Sequence, residues 1–393
     1  MFLRFYNIEQ IYSYGWDQSR DAWHMVSLFQ GENILEGPKT GVGNFRLGPV
    51  YFYLLAPFFF LTGFDPIASQ YFNMLINVAA FVLIFYVTKK LFSQPLAFII
   101  VGMYSINTYI VAANRIPWNV SLVPVLSFLI FYFTYKTLKD KQYKWVAALL
   151  TCCGIFFHAH FTAFIFPIML VLLCLVTSDR LRLFKLFILA LPFYLIWFVP
   201  TVIFYFQNLG SQNSLVQDFF NFYFVGVHLQ FVLHRLPDVL IQFRMLLSLQ
   251  TVVASYVFVL LIGVASFFVK DKLIPKIIFA WIIATLTIFG VYGGPISDYY
   301  FFFMLPAVYY SLLIIFQAVS RFNKYLAITI LILFLGYYCF VNIQQGYSTG
   351  DDKGLAYQKA VMQRDASVSR YRPYNEGDIQ SYLYALYTNT LFR

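Results

Sequence analysis

The sequence predicts an all-α polytopic membrane protein, a bundle of about ten spans. Three observations carry that prediction. The mean hydropathy is +0.70 and only 11% of residues are charged, against about 25% in a soluble domain. Apolar runs near or above the roughly 18–20 residues that cross a bilayer recur along the chain. Lysine and arginine gather in every second connection between those runs. A β-barrel would instead show segments of about ten residues with alternating polarity, and none is seen.

The first element, 1–69, reads as an external loop bearing interfacial helices. It contains YGWDQSRDAW (14–23), an unusually charged cluster for so apolar a chain. The run LGPVYFYLLAPFFFLTGF (47–64) is apolar enough to insert, yet it is short, interrupted by Pro49 and Pro57, and carries Tyr51 and Tyr53 near its start. A helix lying in the interface fits better than a span. The opening MFLRFYNIEQ resembles the last turn of a hydrophobic span, and an upstream first helix is expected.

The transmembrane bundle is expected over 70–343, with spans near 70–88, 95–113, 119–135, 145–160, 161–178, 185–206, 250–269, 277–293, 299–319 and 325–343. One set of connections carries Lys89 and Lys90; Lys136, Lys139, Lys141 and Lys144; Arg180, Arg182 and Lys185; Lys270, Lys272 and Lys276; Arg321 and Lys324. The short members of the other set, FDPIAS, ANRIPWN, FHAHF and GGPISD, hold one Arg and no Lys. The two sets alternate strictly, as the positive-inside rule requires. The net charge of +10 is therefore topological, and nucleic acid is excluded as a partner. The long loop 207–249 is external, its second half amphipathic, and 344–393 forms a small external C-terminal cap. The cysteines Cys152, Cys153, Cys174 and Cys339 all lie in apolar runs without a C-x-x-C pair and read as buried small hydrophobes.

With this topology the unusual polar groups collect on one side: Asp17, Arg20, Asp21, His24, Arg46, Asn114, Arg115, Asn119, His158, His160 and Asp298. Ionisable residues near membrane depth are costly and are functional candidates by default. Asp17 and Asp21 are spaced i, i+4 and share a helix face with Arg20 adjacent. A structural salt bridge and a helix cap worth about 1 kcal/mol are the plain alternatives. A general base, raised toward neutrality beside aromatics, is the functional one. His158 and His160 lie about 200° apart on a helix, a poor metal pair, and no H-E-x-x-H motif appears. One His facing a phosphate with the other satisfied in the core fits them. Arg115 either snorkels to headgroups or grips a phosphate.

No P-loop, Ser-His-Asp order or dinucleotide fingerprint is present, and GVGNFRLG (41–48) follows no strand and reads as a turn. A lipid-linked donor suits such a site better than a soluble nucleotide.

The order RFYNI–GWDQSRDAW, RLGPVYFYLL, NRIPWNVSLVP, HAHFTAFIFP and DYYFFFMLP resembles glycosyltransferase family 39. That family lies within the C-type integral membrane glycosyltransferases and includes the protein O-mannosyltransferases and lipid A aminoarabinose transferases. The resemblance runs through most of 1–310. It implies a C-type helical bundle and a polyprenyl-phosphate-linked sugar donor. It also implies an inverting transfer on the non-cytoplasmic face of a membrane, here expected to be the bacterial plasma membrane. The acceptor class is a lipid, glycan or protein. Asp17 matches the family's catalytic aspartate, Gln18 stands where a second acid often follows, and Asp21 is the catalytic candidate one turn on. Arg115, His158, His160 and Arg46 are expected at the donor phosphate, with Arg20, Trp118 and Asn114 in support. No cofactor is required, a divalent metal being left open. Two rival readings stand beside this one. An O-antigen ligase or polymerase would use His228, His234 and Arg235 in 207–249, and a lipid flippase or transporter would show internal repeats.

Overall fold

The computed structural model describes residues 1–40, 45–208, 229–292, 296–347, 354–365, 381–388 and 390–392. Among these the chain is helical, with one isolated antiparallel bridge between Lys39 and Arg46. After the single turns Phe2–Phe5 and Ile8–Ile11, the amphipathic helix α1 covers Trp16–Phe29 and α2 covers Val50–Leu61. The bundle follows: α3 Ile67–Leu91, α4 Gln94–Ile106, α5 Thr108–Asn114, α6 Val123–Asp140, α7 Tyr143–Ala159, α8 Ile165–Leu175, α9 Arg180–Ala190 and α10 Pro192–Gln207. It continues with α11 Leu229–Leu246, α12 Val252–Phe268, α13 Leu273–Val291, α14 Leu305–Phe322 and α15 Lys324–Gln345, and two short tail helices, α16 Leu355–Asp365 and α17 Ser381–Tyr387, close the chain.

Each expected span coincides with an apolar helix or a bent pair. Among the described residues five helices are long and apolar enough to cross a membrane, or seven if each bent pair is one span, and α7, α8 and α12 are shorter apolar helices. α2 has 12 residues, well under the length of a span. Leu61, Phe267 and Tyr325 are exposed on the outside of the bundle, as residues that face lipid would be.

The region 95–113, read from sequence as one span, is broken: α4 and α5 meet at 67°. The cause is Asn107, whose extended backbone (φ −63, ψ 114) ends α4 while its Oδ1 accepts the Ile110 N–H at 2.9 Å and caps α5. Its Nδ2 donates to Tyr338 Oη at 2.9 Å and to Ser248 Oγ at 3.2 Å. The break frees carbonyls at the end of α4, and the fully buried Arg4 takes two of them, Tyr104 O at 2.7 Å and Ser105 O at 2.9 Å. Its guanidinium lies 5.0 Å from the rings of both Phe81 and Tyr104. A cation among carbonyls at a helix C-terminus is stabilised by the helix dipole and by those hydrogen bonds. A milder bend of 45° separates α9 from α10, where Pro192 is pre-set for a new first turn.

Side-chain contacts sort the connections onto two ends. At one end Lys141 pairs with Asp179, Tyr135 donates to Asp271 at 2.8 Å, and Arg321 donates to Phe268 O. These are the lysine- and arginine-rich connections. At the other end Gln70 donates to Arg115 O at 2.9 Å, Asn119 to Ala159 O at 2.6 Å, and Trp118 packs on Tyr299 at 4.7 Å. The tail docks at this second end. Leu355 N donates to Tyr12 O at 2.9 Å, Lys359 pairs with Asp65 at 2.5 Å, and Tyr382 Oη donates to Phe64 O at 2.7 Å. A small apolar cluster of Tyr12, Tyr14, Ile67, Leu355, Met362 and Leu383 lies beneath.

Candidate active site

The site is assembled around the first turn of α1. Gly15 is the N-cap residue, and Gln18 closes the capping interaction, its Oε1 accepting the Gly15 N–H at 2.9 Å. The Gln18 Nε2 donates to Pro117 O at 3.0 Å. Gln18, which stands where a second acid was expected, thus fastens α1 to the NRIPWN segment. Asp17 is not the cap. It lies one residue inside the helix, where the dipole favours a carboxylate.

Arg20 is 2% exposed and binds both acids. Its Nη1 donates to Asp17 Oδ1 at 2.7 Å, and its Nε and Nη2 donate to Asp21 Oδ1 at 3.0 and 2.6 Å. Trp16 covers the guanidinium at 4.9 Å. The two acids diverge in environment. Asp21 is 1% exposed, whereas the Asp17 side chain is 41% exposed. Burial, opposed by the Arg20 charge, raises the Asp21 carboxyl to about 6.

Asp17 opens onto a cavity of about 420 Å³. Trp16, Trp118, Phe161, Tyr299 and Tyr300 wall it, with Leu47, Asn119, Val120, Thr40, Lys39 and His160 completing the lining. His160 ends α7 in an extended conformation, and its Nδ1 accepts the Thr162 N–H at 3.3 Å. The same Nδ1 lies 2.9 Å from Thr162 Oγ1. The ring lies 5.8 Å from Tyr299 and 5.2 Å from Tyr300.

The structure brings Asp17, Trp118 and His160 into this one cavity, whereas Arg20, Asp21, Arg46, Arg115, His158 and Asn114 do not line it. His158 points away from His160: its Nδ1 accepts the Val50 N–H at 3.4 Å, and its ring packs edge-on against Trp197 at 5.9 Å. Arg46 pairs with Glu36 at 3.0 Å. Arg115 donates to Leu3 O through Nε at 3.1 Å and Nη2 at 2.6 Å. Asn114 donates to Tyr104 Oη at 3.0 Å, with its carbonyl taken by Asn73 at 2.7 Å. His228 lies outside the described residues, as do the side chains of His234 and Arg235. Among the described residues no three His, Cys, Asp or Glu side chains form a metal-binding group.

Sequence reasoning missed Lys39, the cation that lines the cavity, together with Tyr299 and Tyr300. Lys39 is brought there by a narrow hairpin in which Gly37 N donates to Leu47 O at 2.7 Å and Thr40 N to Phe45 O at 2.9 Å. Close approach explains its glycines. A Cβ on Gly37 would sit 2.1 Å from Gly48 O, and one on Gly48 would sit 1.9 Å from His158 Nδ1. The paired glycines flanking 38–47 were the available signal.

Residues 46–204 match the family model described as dolichyl-phosphate-mannose-protein mannosyltransferase. The fold is similar to two solved structures of ArnT from Cupriavidus metallidurans. The apo structure gives a TM-score of 0.53 at 17% identity, over 82% of this chain and 57% of that one. The structure bound to undecaprenyl phosphate gives 0.55 at 14% identity, over 99% and 74%. This chain therefore spans 57% of the length of the first, and at these identities the likeness is one of fold. No curated protein sequence matches.

Proposed function

We propose, from the match of residues 46–204 to a mannosyltransferase family model and the likeness of fold to ArnT, that this chain is a C-type integral membrane glycosyltransferase that transfers a sugar from a polyprenyl phosphate to an acceptor hydroxyl or amine, with inversion, on the non-cytoplasmic side. The observation that carries the reading is the placement of Asp17: an accessible carboxylate, oriented through one oxygen by a buried Arg20, facing a cavity that also holds Lys39 and His160. The undecaprenyl phosphate bound by the similar ArnT structure supports a lipid-linked donor, and the alternation of basic connections supports the sidedness.

In this mechanism Asp17 accepts the acceptor's proton as the acceptor lone pair attacks the anomeric carbon. The new bond forms on one face while the bond to the phosphate oxygen breaks on the other, which inverts the configuration. The bonding pair leaves with polyprenyl phosphate, already a stable anion, so no strong general acid is needed. The Lys39 ammonium and the His160 ring stabilise its charge. Arg20 keeps Asp17 oriented, Asp21 keeps Arg20 in place, and the aromatic walls limit water. Arg46, Arg115, His158 and Asn114 hold neighbouring segments in place through Glu36, Leu3, Val50 and Tyr104.

Purified wild type and Asp17→Asn, incubated in detergent with a panel of polyprenyl-phosphate sugars and hydroxyl or amine acceptors, test the proposal through release of free polyprenyl phosphate. Removal of a general base costs on the order of 10²–10⁴ in rate. Equal turnover in the two, with folding intact, would remove Asp17 from the mechanism.

A further inference from the structure

A second cavity, of about 310 Å³, lies along the same two walls as the first. α1 contributes Trp16 and Asp17 to the first cavity and Trp23, His24 and Ser27 to the second. The segment that follows α1 contributes Lys39 and Thr40 to the first and 32–36 to the second. From Asp17 to His24 is seven residues of helix, or about 10 Å. The second cavity is therefore a neighbour of the proposed base, and the mechanism above makes no use of it.

Its chemistry differs from that of the first. Two ring-bearing side chains, Trp23 and His24, line it and are held in place. Trp23 Nε1 is held by Ser381 Oγ at 3.0 Å, while His24 Nδ1 lies 2.9 Å from Arg20 O and its ring stacks on Phe52 at 4.6 Å. Around them stand planar groups that both donate and accept, Asn33, Gln207 and Asn208, together with the carboxylate of Glu32. Glu36 is balanced by Arg46, whereas Glu32 takes part in no ion pair among the described residues. The local charge is thus negative, where the first cavity carries a lysine. Aromatic side chains beside amide and carboxylate groups suit a ring with an apolar face and hydroxyls at its edge. The negative charge disfavours a phosphate or a uronic acid.

We infer that this second cavity is a saccharide subsite for the acceptor, selecting a neutral or amine-bearing sugar and holding it while its reactive group reaches Asp17. The inference rests on the glycosyl-transfer reading; the subsite itself is tested by binding without donor, and polyprenyl phosphate release tells its failure from that of the reading. The full chain in detergent is titrated with cellobiose, a glucosamine disaccharide and a glucuronate-containing disaccharide, followed by saturation-transfer NMR and calorimetry. The neutral and amino sugars should bind at least tenfold more tightly than the acidic one. The double variant Glu32→Ala/Gln207→Ala, altered at exposed rim positions, should weaken them about tenfold, and Glu32→Lys should reverse the charge preference. Equal binding of the acidic sugar, binding indifferent to the double variant, or no saccharide binding by folded wild type would each overturn the subsite. Loss of polyprenyl phosphate release in Asp17→Asn with saccharide binding retained supports both readings. Saccharide binding together with full release in Asp17→Asn would overturn only the assignment of the base.

Discussion

The indole nitrogen of Trp23 donates to the hydroxyl of Ser381 at 3.0 Å, joining α1 to the first residue of α17 across 358 residues of sequence. Trp23 also meets Tyr382 edge-on at 5.5 Å. The helix that carries Asp17 is thus pinned from outside by the tail.

Ser381→Ala should remove this bond to the buried indole and destabilise the protein by about 0.5–1.5 kcal/mol. Removing the tail from 354 onward should do more, because the cluster under Leu355 and Leu383 opens with it. Thermal unfolding in detergent measures both. An unchanged midpoint on tail removal would show that α1 holds its place without the cap.

Asp21 gives a pH signature. Its carboxyl titrates near 6 in the folded protein, raised from 3.8 chiefly by burial. A raised folded value means the folded state binds more protons between those limits, so this group's stabilisation is full below about 4 and is lost as pH rises through 6. Stability curves of wild type and Asp21→Asn between pH 3.5 and 7 should therefore converge or cross in that window. Parallel curves would mean that Asp21 does not titrate there.

Gly48→Ala would place a methyl group 1.9 Å from His158 Nδ1, displacing the ring that caps α2. Overpacking of this kind costs about 1–3 kcal/mol. His158→Ala in the same chain should relieve most of that cost, giving a coupling above about 0.5 kcal/mol in a double-mutant cycle. Additive effects would deny the contact.

Lys39→Gln should raise the KM for the polyprenyl-phosphate donor by about 10- to 100-fold, the equivalent of about 1.4–2.7 kcal/mol, and soften its salt dependence. Lys39→Arg should restore part of it. A KM unchanged by Lys39→Gln would place the phosphate elsewhere.

Arg4→Met should strand the Tyr104 and Ser105 carbonyls at the α4–α5 break, and each orphaned group costs about 1–3 kcal/mol. A variant as stable as wild type in thermal unfolding would show that Asn107 alone maintains the break.

Much was legible in the sequence because its cause is local. Apolar length marked the ten helical regions, Pro49, Pro57 and shortness marked α2 as no ordinary span, and the position of Lys and Arg divided the connections into two ends. The cluster Asp17–Arg20–Asp21 was legible too, since i, i+3 and i+4 residues of a helix meet whatever surrounds it. The break at Asn107 was not, because Asn is tolerated within a span and becomes a hinge only where Ser248, Tyr338 and Arg4 supply its partners. The different environments of the two acids also escaped the sequence. Spacing sets both on one face, but only packing decides that Asp21 is sealed in with Arg20 while Asp17 is left open. The two histidines of HAH separated for the same reason, one drawn under Gly48 and the other turned into the cavity as α7 ended. Lys39 was the largest omission. Its role depends on a hairpin closed between residues 37 and 48 and on walls from α1, α7 and 298–304, a non-local meeting that no periodicity encodes. Sequence alone determined the membrane bundle, its two charge-sorted ends and the identity of the acidic cluster, since hydropathy and helical spacing act within a few turns. Tertiary structure decided which acid is accessible, which cation joins it and what the tail covers, since burial is a property of neighbours far apart in the chain.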